Sequence, residues 1–180
     1  MRIIGGKYRG KKLISPQSSA VRPTSDRTRE ALFNILRHYF HNDFSNCRLL
    51  ELFCGSGSFS LEAVSQGFET ITAVDIDVSS ILKNIKLFPK EDKRIEVVKS
   101  DVCRLSMLKS KHNVLFMDPP YNQNMVYIAL EQVAKYLDDN AICLIEMHKD
   151  EEYCLPNGYH FIEERRYGIA KIIIARFYSH

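Results

Sequence analysis

Four consecutive residues, Asp118-Pro119-Pro120-Tyr121, directly follow the apolar run 113–117 and together suit chemistry on an exocyclic amine. Such an amine is a poor nucleophile, because its lone pair is delocalised into the aromatic ring. Asp118 and the carbonyl of Pro119 can each accept a hydrogen bond from the NH₂, holding the nitrogen for in-line attack on a methyl donor and favouring its pyramidal form. The two prolines stiffen the loop, and Tyr121 offers a face on which a flipped-out base can stack. The plain alternative is a proline turn after a strand with Tyr121 as packing. A carbon-5 methylation would need a nucleophilic cysteine near this loop, and none of the five cysteines lies within ten residues of it.

What argues for chemistry is what comes earlier in the chain. Glu51-Leu52-Phe53-Cys54-Gly55-Ser56-Gly57 is a strand running into a glycine-rich turn and then a helix, the arrangement that lets backbone approach a nucleotide-like ligand. Alone it also fits NAD(P)-binding folds. Two details favour S-adenosylmethionine: the third glycine of the dinucleotide fingerprint is replaced by Ser60, and Glu51 suits a cationic amino-acid end better than a pyrophosphate. Cys54, inside the turn, is expected to be a small packing residue. Asp75, 18 residues beyond Gly57, ends the next strand and can accept hydrogen bonds from ribose hydroxyls, which both cofactors share. Asp77 is expected to cap a helix. Asp101 ends a further strand, where it could bond an adenine amino group or equally cap the next helix.

These residues need a scaffold that brings strand ends together. From residue 48 onward strand and helix patterns alternate, with strands expected at 48–53, 70–75, 94–99, 113–118 and 141–147. Helices are expected at 58–66, 78–88 and 124–137, with a short piece near 102–108. Near-continuous apolar strands predict a parallel sheet covered on both faces. Two strands at 160–166 and 170–178, joined around Tyr167-Gly168, predict a closing antiparallel hairpin. The expected fold is therefore α/β: a class I, Rossmann-like methyltransferase with a seven-stranded, mostly parallel sheet, a C-terminal antiparallel hairpin and a short basic N-terminal extension. A helix capped by Thr24 or Ser25 should carry Ala31, Leu32, Ile35, Leu36, Tyr39 and Phe40 on one face.

Charge is distributed unevenly over the 180 residues. Residues 1–30 hold eight Lys/Arg and two acids, for +6, while the remaining 150 hold 17 basic and 20 acidic side chains, for −3. The basic segment mixes Gly5, Gly6, Gly10 and Tyr8 with its charges, which suits phosphate and base contact, although a solvated tail would look similar. Ile3, Ile4, Leu13 and Ile14 could pin it down as short strands. The expected division is a basic arm and helix over 1–44 and a cofactor-binding domain over 45–180. No apolar run reaches the roughly 20 residues of a membrane span, and no secretory signal follows the first basic residues. The five cysteines form no CxxC pair and the six histidines no metal-ligand spacing, so a reduced, metal-free cytoplasmic protein is expected.

The stretches MRIIGGKYRGKKL, VRPTSDRTREALFNIL, LELFCGSGSFSLEA and FMDPPY resemble the RsmD family of bacterial 16S rRNA guanine-N2 methyltransferases over most of the chain. The last two are shared by many amino-methyltransferases; the first two are more specific. By this resemblance Glu51, Phe53, Cys54, Gly55, Gly57, Asp75, Ile76, Asp101, Val102 and Asp118 lie against S-adenosylmethionine. Asp118, Pro119, Pro120 and Tyr121 hold the target guanine, and Arg2, Lys7, Arg9, Lys11, Lys12, Arg22, Arg27 and Arg29 touch rRNA. The implied partner is 16S rRNA in a partly assembled 30S subunit, met by a monomer with no membrane association. Three rivals remain. A DNA adenine-N6 methyltransferase would use the same loop, but 180 residues leave no room for a separate target-recognition domain. A non-catalytic RNA-binding assembly factor would not need the intact motifs. An NAD(P)-dependent oxidoreductase is opposed by Ser60 and by the lack of a Tyr-x-x-x-Lys pair after the fourth strand.

Overall fold

The computed structural model describes residues 1–15, 25–105, 107–121 and 125–179. Its centre is a seven-stranded sheet in the order β3-β2-β1-β4-β5-β7-β6. The strands are β1 (Arg48–Leu52), β2 (Thr70–Asp75), β3 (Ile95–Lys99), β4 (His112–Met117), β5 (Leu137–His148), β6 (Tyr159–Tyr167) and β7 (Ala170–Phe177). The first five run parallel, and β7 enters antiparallel between β5 and β6. The order reverses between β1 and β4, where Leu52 pairs with Met117. Ligands of open α/β sheets bind at such a switch point, outside the carboxyl ends of the strands.

Four helices, α1 (Asp26–Tyr39), α2 (Ser58–Gln66), α3 (Ser79–Ile85) and α4 (Met125–Val133), cover the sheet. Alternation along the strands sends side chains to two cores. Leu49, Val114 and Phe116 face α1 and α2, and Leu50, Leu52, Leu115 and Met117 face α4. Phe59 of α2 stacks on Phe116 of β4 with ring centroids 3.9 Å apart, and Phe33 of α1 lies 4.8 Å from Phe59. Deleting a buried ring such as Phe33 would cost about 3–5 kcal/mol. Ser25 caps α1, its hydroxyl accepting from the Thr28 N–H at 3.1 Å.

Several expected boundaries move. The expected helix 124–137 is α4 followed by a 3₁₀ turn, Ala134–Tyr136, and β5 begins at Leu137 rather than 141. There Leu137 pairs with His112, and an irregularity between His112 and Val114 admits the polar run Asp138-Asp139-Asn140. α3 stops at Ile85, and the expected piece near 102–108 is only a 3₁₀ turn, Val102–Arg104. The hairpin loop is Gly168-Ile169, one residue later than expected, with Gly168 at φ 63°. β1 and β4 each end one residue early, which leaves Phe53 and Asp118 in the turns.

The N-terminal arm forms a hairpin closed by a bridge between Arg2 and Lys12, with the Ile3 and Lys11 backbones bonded. Ile3 and Leu13 are buried, whereas Ile4 is half-buried and Ile14 is 49% exposed. The expected boundary at 44/45 does not separate two cores, because Ile3, Leu13, Leu32 and Phe33 share one cluster with Phe59, Ile71 and Phe116. Among the described residues no helix is long and apolar enough to cross a membrane.

Candidate active site

The turn after β1 contains three left-handed residues: Phe53 at φ 58°, Gly55 at 50° and Gly57 at 71°. Gly57 is doubly required, since a Cβ there would also lie 2.4 Å from Ile81 Cγ1 of α3. At Gly55 a Cβ would meet nothing within 4 Å, so this part of the turn faces open space. Phe53 holds the same conformation with a side chain, at a cost of about 1–3 kcal/mol that the surrounding structure must offset.

Neighbouring elements supply that support. Cys54 N–H donates to the Val74 carbonyl at 3.1 Å and Gly57 N–H to the Cys54 carbonyl at 2.7 Å. Gly55 N–H donates to Asp75 Oδ2 at 2.8 Å, while Asp75 Oδ1 accepts from Asp77 N–H at 3.0 Å. Asp75 therefore stitches the two ligand loops together, and each oxygen keeps a second acceptor position. Asp77 accepts from Ser79 N–H at 2.9 Å, the helix-start role expected of it. Ile76 stands 70% exposed next to Asp75, and Val102 is buried nearby in sequence to Asp101. Asp101 caps its own turn, accepting from Cys103 N–H at 2.9 Å, and lies 3.9 Å from Arg104.

Glu51 points to the α2 side of the sheet. Its Oε2 accepts from the Ser60 N–H at 2.9 Å and from the Ser60 hydroxyl. Ser60, which departs from the dinucleotide fingerprint, is thus the residue that anchors Glu51 to the first turn of α2. Burial pushes Glu51 up to about 8, against the Ser60 donors that pull it down. Burial likewise drives the Cys54 thiol far up, so it is a packing residue and no nucleophile.

Asp118 and Tyr121 follow β4 immediately beside this turn, half-buried; Pro119 is buried and Pro120 exposed. The Tyr121 ring meets the His148 ring at the end of β5 edge-on, with centroids 5.5 Å apart and planes at 63°. His148 Nδ1 accepts from Asp150 N–H at 3.3 Å. The strand-end residues of β1, β2, β3, β4 and β5 therefore share one edge of the sheet. Among the described residues no group of three side chains could hold a metal.

The basic residues of the arm divide in two. Arg2, Arg9, Lys12 and Arg27 are exposed, and Arg2, Arg9 and Arg27 line a groove of about 360 Å³ with Asp26 and Glu30. Lys7, itself exposed, pairs with buried Glu91 at 2.7 Å, beside the Tyr8 hydroxyl at 2.8 Å and Arg94 at 2.9 Å. Burial alone would raise Glu91, but these three donors outweigh it and hold its carboxyl at about 2. Lys11 donates to the Leu87 carbonyl and sits 4.6 Å over the Phe88 ring. Arg29, expected to touch RNA, is 0% exposed: it donates to the Arg2 carbonyl at 2.6 Å and Asp26 at 2.8 Å, 3.6 Å from Glu62. A guanidinium so enclosed holds the arm, α1 and α2 together and does not reach solvent. Arg22 and Thr24 lie outside the described residues.

Sequence reasoning missed the groups that seat the arm. Buried Glu62 accepts the Ile4 and Gly5 N–H groups, each at 2.8 Å, and Ser65 bonds both Gly5 and Tyr8. A lone acid within the otherwise apolar SFSLEAV segment was the available signal for Glu62. Asn84, also fully buried, gave none.

A family model described as conserved hypothetical protein 95 matches residues 1–176. The chain is 33% identical to ribosomal RNA small subunit methyltransferase D of Haemophilus influenzae, over 94% of this chain and 90% of that protein. It is 34% identical to the Escherichia coli protein of that name, over 87% of this chain and 78% of the relative. Among solved structures, the putative methyltransferase yhhF from Escherichia coli superposes with a TM-score of 0.82 at 28% identity, covering 100% of this chain and 99% of that one. By the match over residues 1–176 and by these relatives, the chain belongs to the conserved hypothetical protein 95 family, the family of the small-subunit rRNA methyltransferase D proteins.

Proposed function

We propose that the protein transfers a methyl group from S-adenosylmethionine to the exocyclic N2 amine of a guanine in small-subunit ribosomal RNA. The observation that carries this is the register of Leu52 with Met117, which sets the glycine turn and the Asp118–Tyr121 turn side by side at the sheet reversal. The residues fit the cofactor: Gly55 faces open space, Asp75 has acceptor positions for ribose hydroxyls, and exposed Ile76 supplies apolar surface for adenine, with buried Val102 behind the Asp101 turn. Asp101 offers an acceptor to the adenine amino group, and Glu51 with Phe53 and Cys54 lies toward the amino-acid end. When bound, S-adenosylmethionine supplies an electrophilic methyl on a sulfonium.

The chain's own groups do the rest. Asp118 and the Pro119 carbonyl accept from the target NH₂, and the Asp118 charge offsets the positive charge growing on the nitrogen. No strong general base is needed, because the amine becomes acidic only once methylated; water or Asp118 then takes the proton. Tyr121 stacks on the base while His148 braces its ring. RNA lies over Arg2, Arg9, Lys12 and Arg27, and the names of the relatives point to small-subunit RNA. The reading extends to a partly assembled 30S particle as substrate and a monomeric cytoplasmic enzyme. Tritiated-methyl transfer to 30S particles and 16S rRNA from cells lacking the enzyme, with duplex DNA alongside, tests it. RNA should be labelled and DNA not. Labelled DNA would point to the adenine-N6 reading. No label in either, with cofactor bound, would point to an assembly factor.

A further inference from the structure

Asn84 in α3 is fully buried and joins two elements to which the proposed function assigns different ligands. Its Nδ2 donates to the Ser56 carbonyl at 3.0 Å and to the Ile14 carbonyl at 3.1 Å, and its Oδ1 accepts from the Ile14 N–H at 2.7 Å. Ser56 is the middle residue of the Gly55–Gly57 turn. Ile14 follows the hairpin strand of Lys12, whose backbone pairs with Arg2. A second tie runs in parallel, the Ser56 hydroxyl donating to Met1 Sδ at 3.7 Å. α3 itself starts just after Asp75-Ile76-Asp77, so the amide hangs between both cofactor loops and the hairpin.

A side-chain amide is planar, and its partners here come from two separate elements. Displacing the hairpin from the turn by about 1 Å would take at least one of these bonds beyond 3.5 Å, where it ceases to be a hydrogen bond. A fully buried amide has no solvent to replace the lost partner. Leu13 anchors the hairpin in the core, and beyond it the half-exposed Ile14 is tied down by its two backbone bonds to Asn84. A purely structural staple would leave the two ligands independent. The contact with Ser56, in the turn assigned to the cofactor, links them.

We infer that Asn84 is a positioning residue that couples the basic hairpin to the glycine turn, so that cofactor in the turn steadies the hairpin and cofactor and RNA bind with mutual preference. The inference rests on the methyltransferase reading above. Coupling of this kind is reciprocal, with factors typically of about 5–150.

The test is amide exchange in the full chain with and without saturating S-adenosylhomocysteine. The reporter is Leu13, whose N–H goes to the Met1 carbonyl rather than to Asn84. In the wild type the ligand should slow Leu13 exchange about fivefold or more. Tyr8, whose N–H goes to Ser65 on the far side of the hairpin, should change less than about twofold. In Asn84→Ala, with ligand binding checked by calorimetry, the effect at Leu13 should vanish. The roughly fivefold gain in RNA affinity on adding the ligand should vanish with it. If the substitution prevents folding, Asn84→Asp keeps an acceptor for the Ile14 N–H but loses the donor to the Ser56 carbonyl, and the same loss is expected. Ligand bound with Leu13 unchanged in the wild type, or an undiminished effect in the folded variant, overturns the coupling and leaves the methyltransferase reading intact. Failure of S-adenosylhomocysteine to bind the wild type defeats both.

Discussion

The two turns that leave β1 and β4 side by side are held in opposite ways. The glycine turn is fastened from outside: Asp75 takes the Gly55 N–H, Val74 the Cys54 N–H, and Asn84 reaches the Ser56 carbonyl. The turn after β4 is stiffened within itself by Pro119 and Pro120, whose rings fix φ, and Tyr121 at its end meets the His148 ring edge-on. The consequence is a division of labour. Residues of the glycine turn serve the fold and the cofactor at once, so changing them should weaken both. Asp118 is assigned to the reacting amine, so changing it should lower rate far more than cofactor affinity.

The largest effect is expected where this contrast is sharpest. Asp118→Ala should lose methyl transfer by at least about a hundredfold, since one preorganised acceptor at the reacting atom is worth on the order of 10²–10³ in rate. Cofactor affinity should change by far less than the rate. Asp118→Asn, which keeps an acceptor oxygen but loses the charge, should fall between wild type and alanine. A drop in cofactor affinity comparable to the loss of rate would break the comparison.

Asp75→Ala supplies the opposite case. Losing two charged-acceptor bonds to ribose should cost on the order of 2–4 kcal/mol of cofactor affinity, at about 1.5–3 kcal/mol each before non-additivity. Because Asp75 also receives the Gly55 and Asp77 N–H groups, the ligand-free variant should unfold at lower denaturant as well. Calorimetry alongside urea unfolding separates these effects, and an affinity loss with no stability loss would refute the stitching role.

Glu51 sharpens the comparison through pH. Its folded value of about 8 lies above the ordinary 4.5, so the folded state keeps a proton that the unfolded chain releases, and stability should fall as pH rises between those values. The Glu51→Gln variant should lack this slope. If a cationic amino group binds nearby, it favours the ionised carboxylate, and cofactor affinity should rise about three- to tenfold from pH 6 to 8 in the wild type and stay flat in Glu51→Gln. Parallel pH profiles in the two proteins would place Glu51 away from the ligand.

The smallest effects concern the arm, where the same division recurs. Neutralising Arg9 and Lys12 should weaken RNA binding and reduce its salt slope by up to about 1 per charge, with stability unchanged. Neutralising Lys7 and Lys11 should lower stability and leave most of the slope. Glu91 is held at about 2 in the fold, so its contribution is present above 4.5 and fades as pH falls toward 2. Lys7→Ala should move acid unfolding to higher pH. Equal salt slopes for the two pairs would mean that the bonds of Lys7 to Glu91 and Lys11 to Leu87 do not keep these charges from the RNA.

How legible each region was follows from what sets its residue types. Gly57 is demanded by φ 71° and by Ile81 at 2.4 Å, and Asp118-Pro119-Pro120 by the chemistry it offers, so both stood out in the sequence. The start of β5 did not, because Asp138-Asp139-Asn140 carry no apolar alternation and lie in the irregularity between the Leu137 and Ile142 pairs, with Asn140 left-handed at φ 67°. Counting charges could not separate Arg29, enclosed by Glu62 and Asp26, from Arg27 three-dimensionally outside it. Asn84 was invisible for a plainer reason: its role lies in three long-range bonds to backbone atoms, which no residue pattern encodes.

The central claim is that the paired turns at the sheet reversal methylate an exocyclic amine of guanine. Nucleoside mass spectrometry of 16S rRNA methylated by the purified protein tests it most directly. The account predicts N2-methylguanosine as the labelled nucleoside. N6-methyladenosine would leave the Asp118 chemistry standing and overturn the guanine assignment, and 5-methylcytidine would contradict both.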